Sequence, residues 1–333
     1  MPALRILLTH TPEMRRNYYG ERALSGLCRL AEVTQHEAAV PLDTAGLIEA
    51  ARGCQIIVAD RATPCAAEAF AALPELVAVC RVAVDIRNID VAAASRHGVL
   101  VTHAGRSWLP AVSELVIGLM IDAGRGISRA NLAYKRLETP QVRIGRQLAG
   151  ATAGIIGYGP LGRSVAELAL AFGMHVLVND PYVTVEHARI EQVDFEQLLR
   201  RADFVVPLAV ATPETENLID ARALSLMRAD ALLINLSRGN LIDEAALSEA
   251  LAEGRIAGAA MDVGRAPDQK PSPALAKRLE VVATPHIGGL TLAAVEGQAL
   301  ETVAQAAELV QGRAPTGSVN AETASRLSRL VSK

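Results

Sequence analysis

The sequence predicts an α/β fold of two doubly wound parallel sheets, each Rossmann-like, with a cleft between the two domains. Three observations lead there. Short apolar runs alternate with helical stretches, the alternation starts afresh near residue 110, and a glycine-rich turn follows the first strand of the second series. The chain has 333 residues, half of them hydrophobic, which is enough for two cores.

In the first series, strands are expected at 5–10, 33–37, 55–60, 76–84 and 99–104, with helices such as 44–51, 66–72 and 91–97 between them. Strands separated by helices pair in parallel through right-handed crossovers. A long helical pattern at 111–137, with a turn signal at Gly124-Arg125-Gly126, opens the second series. Six strands follow at 152–156, 175–179, 204–210, 231–237, 256–262 and 281–284, the number of a dinucleotide fold. Helices are expected between them at 161–172, 195–201, 221–227 and 244–252. A last helix at 292–311 comes after the second domain is complete, so it is expected to pack back on the first and make that domain discontinuous.

Bulk composition excludes several functions. The 33 basic and 36 acidic side chains are interspersed, and aromatics make up 3% of the chain, so neither a basic nucleic-acid stripe nor a base-stacking platform is expected. Cys28, Cys54, Cys65 and Cys80 form no CxxC pair and read as reduced, mostly buried thiols, with no metal site. The N-terminal apolar run is too short for a signal peptide, and no run reaches the ~18 residues of a membrane span, so a soluble cytoplasmic protein is expected. The chain ends soon after its closing helix, so no appended regulatory domain is expected.

The strongest local signal runs from Gly154 to Arg163 and contains Gly157-Tyr158-Gly159-Pro160-Leu161-Gly162, a GxGxxG turn between an apolar strand and an Ala/Leu-rich helix. Gly157 permits the tight turn, Gly159 lets backbone approach a pyrophosphate at the helix N-terminus, and Gly162 brings helix and strand together. The next strand ends in Asn179-Asp180, which places Asp180 where it accepts the adenosine ribose hydroxyls and repels a 2'-phosphate. NAD is the expected cofactor. Residues 105–287 are then the NAD-binding domain, and 1–104 with 288–333 a flavodoxin-like substrate domain. Leu236-Ser237-Arg238, Asp262 and His286 each follow an apolar strand, so they are expected to converge at the C-terminal edge of the sheet. An arginine binds a carboxylate through two hydrogen bonds while polarising the adjacent carbonyl, and a histidine delivers or removes the proton.

At this point the sequence resembles the D-2-hydroxyacid dehydrogenases. The run from Leu233 to Leu247 (LINLSRGNLIDEAAL) is similar to their arginine signature. Ala257 to Val263 (AGAAMDV) and Thr284 to Gly289 (TPHIGG) are similar to the two motifs that follow it, and Thr212 to Thr215 and Asn88-Ile89-Asp90 fit as well. The resemblance implies Arg238 as substrate-binding arginine, His286 as proton donor and acceptor, Asp262 at the nicotinamide carboxamide, and a homodimer built around the cofactor domain. Ala209 and Gly288 join the expected cofactor contacts.

The sequence also departs from that family. The glutamate expected beside the histidine is replaced by Pro267, and Asp268 is either its substitute or a loop carboxylate. Arg81-Val82-Ala83-Val84-Asp85-Ile86-Arg87 lacks the glycines of the family's carboxylate-binding loop. Asp85 there either meets a hydroxylated or cationic substrate or pairs with Arg81 or Arg87. Arg81, Val84, Asp85, Arg87 and Trp108 are the expected substrate residues. Leu208-Ala209-Val210 stands where many relatives carry His-x-Pro, on the expected adenine side. The leading expectation is an NAD-dependent enzyme interconverting a small 2-oxo acid and a D-2-hydroxy acid. A dehydrogenase of another small anion, such as formate or phosphite, and an NAD(H)-sensing binding protein like the C-terminal-binding-protein corepressors are the alternatives.

Overall fold

Runs of aliphatic residues without polar alternation become strands covered on both faces. In the computed structural model, which describes residues 4–266 and 269–330, the chain divides into one unit of residues 1–108 with 291–333 and another of residues 109–290. The first holds β1 (Arg5–Leu8), β2 (Glu32–Gln35), β3 (Ile56–Ala59), β4 (Ala78–Arg81) and β5 (Leu100–His103), all parallel in the order β2-β1-β3-β4-β5. Every residue of β3 and β4 is buried. Helices α1 (Pro12–Tyr18), α2 (Glu21–Leu30), α3 (Thr44–Ala50), α4 (Ala67–Ala72) and α5 (Val91–Arg96) lie between the strands in sequence. Side chains set where two of them start, since Asp43 and Asp90 accept the backbone N–H of Gly46 and Ala93, both at 2.8 Å. The sequence reading named neither α1 nor α2.

The second unit begins with α6 (Leu109–Arg125) and α7 (Ile127–Lys135), which are separated at Gly126 by a left-handed residue of φ 67°. It continues through β6 (Thr152–Ile156), α8 (Pro160–Ala171), β7 (His175–Asn179), β8 (Ile190–Gln192), α9 (Phe195–Arg201), β9 (Phe204–Pro207), α10 (Ala221–Leu226), β10 (Leu232–Asn235), α11 (Glu244–Ala252), β11 (Gly258–Met261), α12 (Pro273–Ala276) and β12 (Val281–Ala283). The parallel order β12-β11-β10-β9-β6-β7-β8 reverses direction at β6, as in dinucleotide-binding sheets. Among the described residues the sheet has seven strands rather than the expected six. The additional one, β8, has three residues of which only Ile190 is buried, too little apolar sequence to announce a strand.

The closing helix α13 (Leu292–Val310) belongs to the first unit. Its buried residues Ala294, Gln298, Ala299, Thr302, Gln305, Ala306 and Leu309 recur at helical spacing and form one face. The helix lies close against α2, where a Cβ on Gly26 would stand 2.8 Å from Val303 Cγ1. Beyond it, Asn320 accepts from Val101 N at 2.8 Å and donates to Val99 O at 2.9 Å, so the segment after the helix joins this unit at β5.

His10, just beyond β1, is 2% exposed. Burial pushes its pKa down to about 4, against the opposing pull of Asp60. An imidazole neutral when folded and protonated when unfolded contributes stability above pH ~6.5 that is lost as pH falls through the folded value, ~3 kcal/mol in all. Urea midpoints measured at pH 7 and pH 4.5 should therefore converge in His10→Gln relative to wild type. Equal pH slopes in the two proteins would remove this assignment.

Candidate functional site

The glycine turn grows out of β6. Gly157 has φ 100° and donates to Asn179 O at 2.8 Å, and a Cβ there would lie 2.8 Å from Ala209 N. Gly162, inside α8, is tighter still, because its Cβ would fall 2.1 Å from Gly157 O. Gly159 differs from both: it is the N-cap of α8 and a Cβ on it would meet nothing within 4 Å. Backbone thus faces open space at a helix N-terminus, the arrangement a pyrophosphate needs. Pro160 is exposed, Leu161 half-buried, and the Tyr158 ring is buried with the Arg163 guanidinium 4.4 Å from its centroid. Asp180 accepts from Tyr158 N at 2.7 Å with one oxygen and from Tyr182 N at 2.8 Å with the other, so each oxygen keeps capacity for a ribose hydroxyl. Tyr182 and Val210, which follow β7 and β9, are mostly exposed. These residues fit a dinucleotide.

The adjacent strands β10, β11 and β12 end in the other expected residues. At the end of β10, Asn235 is fully buried, accepts from Ser237 N at 3.1 Å and donates to Arg238 O at 3.0 Å, while its carbonyl takes Asp262 N at 3.0 Å. Ser237 Oγ reaches Ala209 O at 3.2 Å, which ties this turn to the one after β9. Gly239 closes the turn against Gly264, whose carbonyl carbon a Cβ would approach to 2.2 Å. Leu236 is buried, whereas the Arg238 side chain is exposed and its Nη1 donates to Ser237 O at 2.8 Å.

Asp262, 1% exposed, holds the turn after β12. One of its oxygens accepts from Thr284 Oγ1 at 2.6 Å and Ile287 N at 2.8 Å, and the other from Gly288 N at 2.8 Å. The turn carries His286 at φ 60°, in the left-handed region. A non-glycine residue there costs of order 1–3 kcal/mol, and such strain concentrates at functional sites. Strand spacing puts the ends of β10 and β12 roughly 10 Å apart, with Asp262 between them.

In the first unit, Arg81 ends β4 and is fully buried. Its Nη2 donates to Asn88 Oδ1 and to Thr63 O, the latter at 3.4 Å, so it closes the base of segment 82–88. Asp85 pairs with Arg87, 2.6 Å from Nη2, and that pairing raises the Arg87 pKa. Val84 is 39% exposed and Trp108 half-buried. Burial alone would raise the pKa of the Asp60 carboxyl, but the hydroxyls of Thr63 and Thr9, with His10 and the Thr63 amide, together hold the group below its ordinary value. Asp268 and Pro267 lie outside the described residues.

Residues 117–288 match the family described as D-isomer specific 2-hydroxyacid dehydrogenase, NAD binding domain. The chain belongs to that family. NAD is its cofactor, and the matched residues include the glycine turn, Asp180, Arg238, Asp262 and His286. A hydroxypyruvate reductase of Thermotoga maritima is 32% identical over 253 residues, covering 74% of this chain and 82% of its own. A D-3-phosphoglycerate dehydrogenase of Methanocaldococcus jannaschii is 35% identical over 296 residues, 87% of this chain but 56% of its own. The chain thus spans about half the length of the phosphoglycerate dehydrogenases it matches. Among solved structures, a protein of Thermus thermophilus superposes with a TM-score of 0.84 at 30% identity, over 95% of this chain and 100% of that one.

Two residues that shape this site were given no role in the sequence reading. Asn235 stands there inside the run Leu233 to Leu247, and Thr284 opens the run Thr284 to Gly289, neither with a role of its own. Both are turn organisers whose partners are distant in sequence or in backbone atoms.

Proposed function

We propose that this family member interconverts a small 2-oxo acid and its D-2-hydroxy acid. The observation carrying the proposal is Arg238 and His286 at the ends of strands on either side of Asp262, in the sheet that carries the dinucleotide turn. When bound, the nicotinamide supplies a hydride to the carbonyl carbon. Arg238 binds the substrate carboxylate and polarises the neighbouring carbonyl oxygen, and His286 gives that oxygen its proton or, in reverse, takes it from the hydroxyl. Asp262 keeps acceptor capacity on the oxygen that Gly288 N occupies once, which suits it to the carboxamide of the cofactor. Within segment 82–88 of the first unit, Asp85 is neutralised by Arg87.

NADH consumption with pyruvate, glyoxylate, hydroxypyruvate and its 3-phosphate tests the activity. The names of the relatives put the last two first on that panel. Tight NADH binding with no turnover on any 2-oxo acid would favour a sensor instead. Asp180 makes NADH the preferred form by at least ~1 kcal/mol, through ribose bonds kept and 2'-phosphate repelled. Equal dissociation constants for NADH and NADPH in a fluorescence titration would remove that role.

The protein further acts as a homodimer through its second unit. In α7 and the segment after it, Ile127, Leu132, Tyr134, Leu137, Val142 and Ile144 are all exposed, the last three almost completely. A run of apolar side chains this dense is an association surface. Light scattering should find a dimer in the wild type and a monomer in Leu137→Glu/Ile144→Glu. A monomeric wild type at micromolar concentration would overturn it.

A further inference from the structure

We propose that Thr284, acting through Asp262, is a positioning residue that sets the imidazole of His286. This rests on the role of His286 proposed above. His286 N donates to Thr284 O at 3.0 Å across Pro285, which closes a three-residue turn and leaves His286 in the left-handed region. Backbone bonds tie its two ends, Thr284 N to Met261 O at 3.0 Å and Leu290 N to Ile287 O at 2.8 Å, and the clamp across the histidine is made on one carboxylate. Asp262 takes Ile287 N and Gly288 N, the two amides following the histidine, each at 2.8 Å. Thr284 Oγ1 completes the clamp from the other side of His286 at 2.6 Å, onto the same oxygen that receives Ile287 N.

The geometry therefore brackets the histidine. Bonds on both sides of it converge on a carboxylate that is itself fixed, because Asp262 N donates to Asn235 O at the end of β10 and Asp262 is almost wholly buried. Gly288 lies so close that a Cβ would stand 3.0 Å from Asp262 Oδ2. Without the Thr284 hydroxyl, the carboxylate keeps its two amides on the far side of His286 but loses its hold on the near side. The segment before His286 is then no longer tied to the carboxylate that holds the residues after it, and a displacement of about 1 Å at a reacting group costs on the order of 100-fold in rate. Thr284 touches no reacting atom in this scheme. Its effect passes entirely through the placement of another residue's proton.

Thr284→Val keeps the shape and removes the donor. In steady-state reduction of the best 2-oxo acid, kcat should fall about tenfold or more, while KM and the NADH dissociation constant stay within about threefold. The solvent deuterium isotope effect on kcat should rise, since a misplaced imidazole makes proton delivery slower than the steps around it. Thr284→Ser, which restores the hydroxyl, should return both quantities to wild-type values. A purely structural role would lower the concentration of NADH-binding sites and leave the isotope effect unchanged, and that result overturns the proposal. So does a Thr284→Val protein with wild-type kcat. A wild type that reduces no 2-oxo acid removes the proposed activity and this inference together, whereas an active wild type with an indifferent Thr284→Val removes this inference alone.

Discussion

His286→Gln is expected to lower kcat for 2-oxo acid reduction by about a thousandfold, with NADH affinity within about threefold of wild type. Glutamine retains polarity and a donor but cannot pass a proton to an alkoxide as it forms. His286→Asn should accompany it, because asparagine tolerates the left-handed backbone recorded at this position, φ 60°, better than glutamine does. Loss in both variants then reports on proton transfer rather than on the turn. In the proposed mechanism reduction requires the protonated imidazole, so reductive kcat/KM should decline as pH rises through the pKa of His286, and oxidation should follow the opposite limb. Asp268 either substitutes for the family's missing glutamate or is a loop carboxylate, and Asp268→Asn tests the first reading. A carboxylate beside an imidazole favours the charged ring, so Asp268→Asn should move the reductive limb acidward. Superimposable pH profiles would remove Asp268 from the mechanism, and a fully active His286→Gln would remove the mechanism.

Much of this architecture was legible because parallel strands buried on both faces leave a direct signature. Ile56–Ala59 and Leu232–Asn235 are short aliphatic runs, and both are strands whose every residue is buried. The break of the long helix was legible in Gly126, and the dinucleotide turn in Gly157, Gly159 and Gly162, where backbone needs the absence of a Cβ or open space beside it. What escaped depends on partners that sequence spacing does not reveal. The edge strand β8 owes its existence to pairing with β7, with one buried side chain of its own. Arg81 reads as a substrate residue beside an acidic loop, yet its burial turns it onto Thr63 and Asn88 and into the frame of that loop. Of the two pairings open to Asp85, the structure has Arg87, the nearer in sequence. Asn235 and Thr284 organise the site by bonding to backbone and to Asp262, and neither kind of contact leaves a pattern in residue type.

Arg238→Ala should lower kcat/KM for reduction by about 10²–10³-fold, affecting kcat and KM together. The guanidinium is asked both to hold the carboxylate, which changes binding, and to polarise the carbonyl as charge develops on its oxygen, which changes the barrier. The fold should not register the change. The backbone at 238 is pinned by Asn235 at 3.0 Å and by the contact of Gly239 with Gly264, while the side chain itself is exposed. Thermal midpoints and NADH affinity are therefore expected to match wild type, which separates loss of chemistry from loss of structure. Arg238→Lys is the sharper variant. A lysine keeps the charge but replaces a planar fork of donors with one ammonium, so it cannot bind the carboxylate in two places and reach the carbonyl in one orientation. Its kcat/KM should remain at least about tenfold below wild type, since one charge-assisted hydrogen bond is worth about 1.5–3 kcal/mol. A lysine variant with wild-type kcat and KM would mean that Arg238 contributes packing or charge alone, and the carboxylate would have to be sought on another residue.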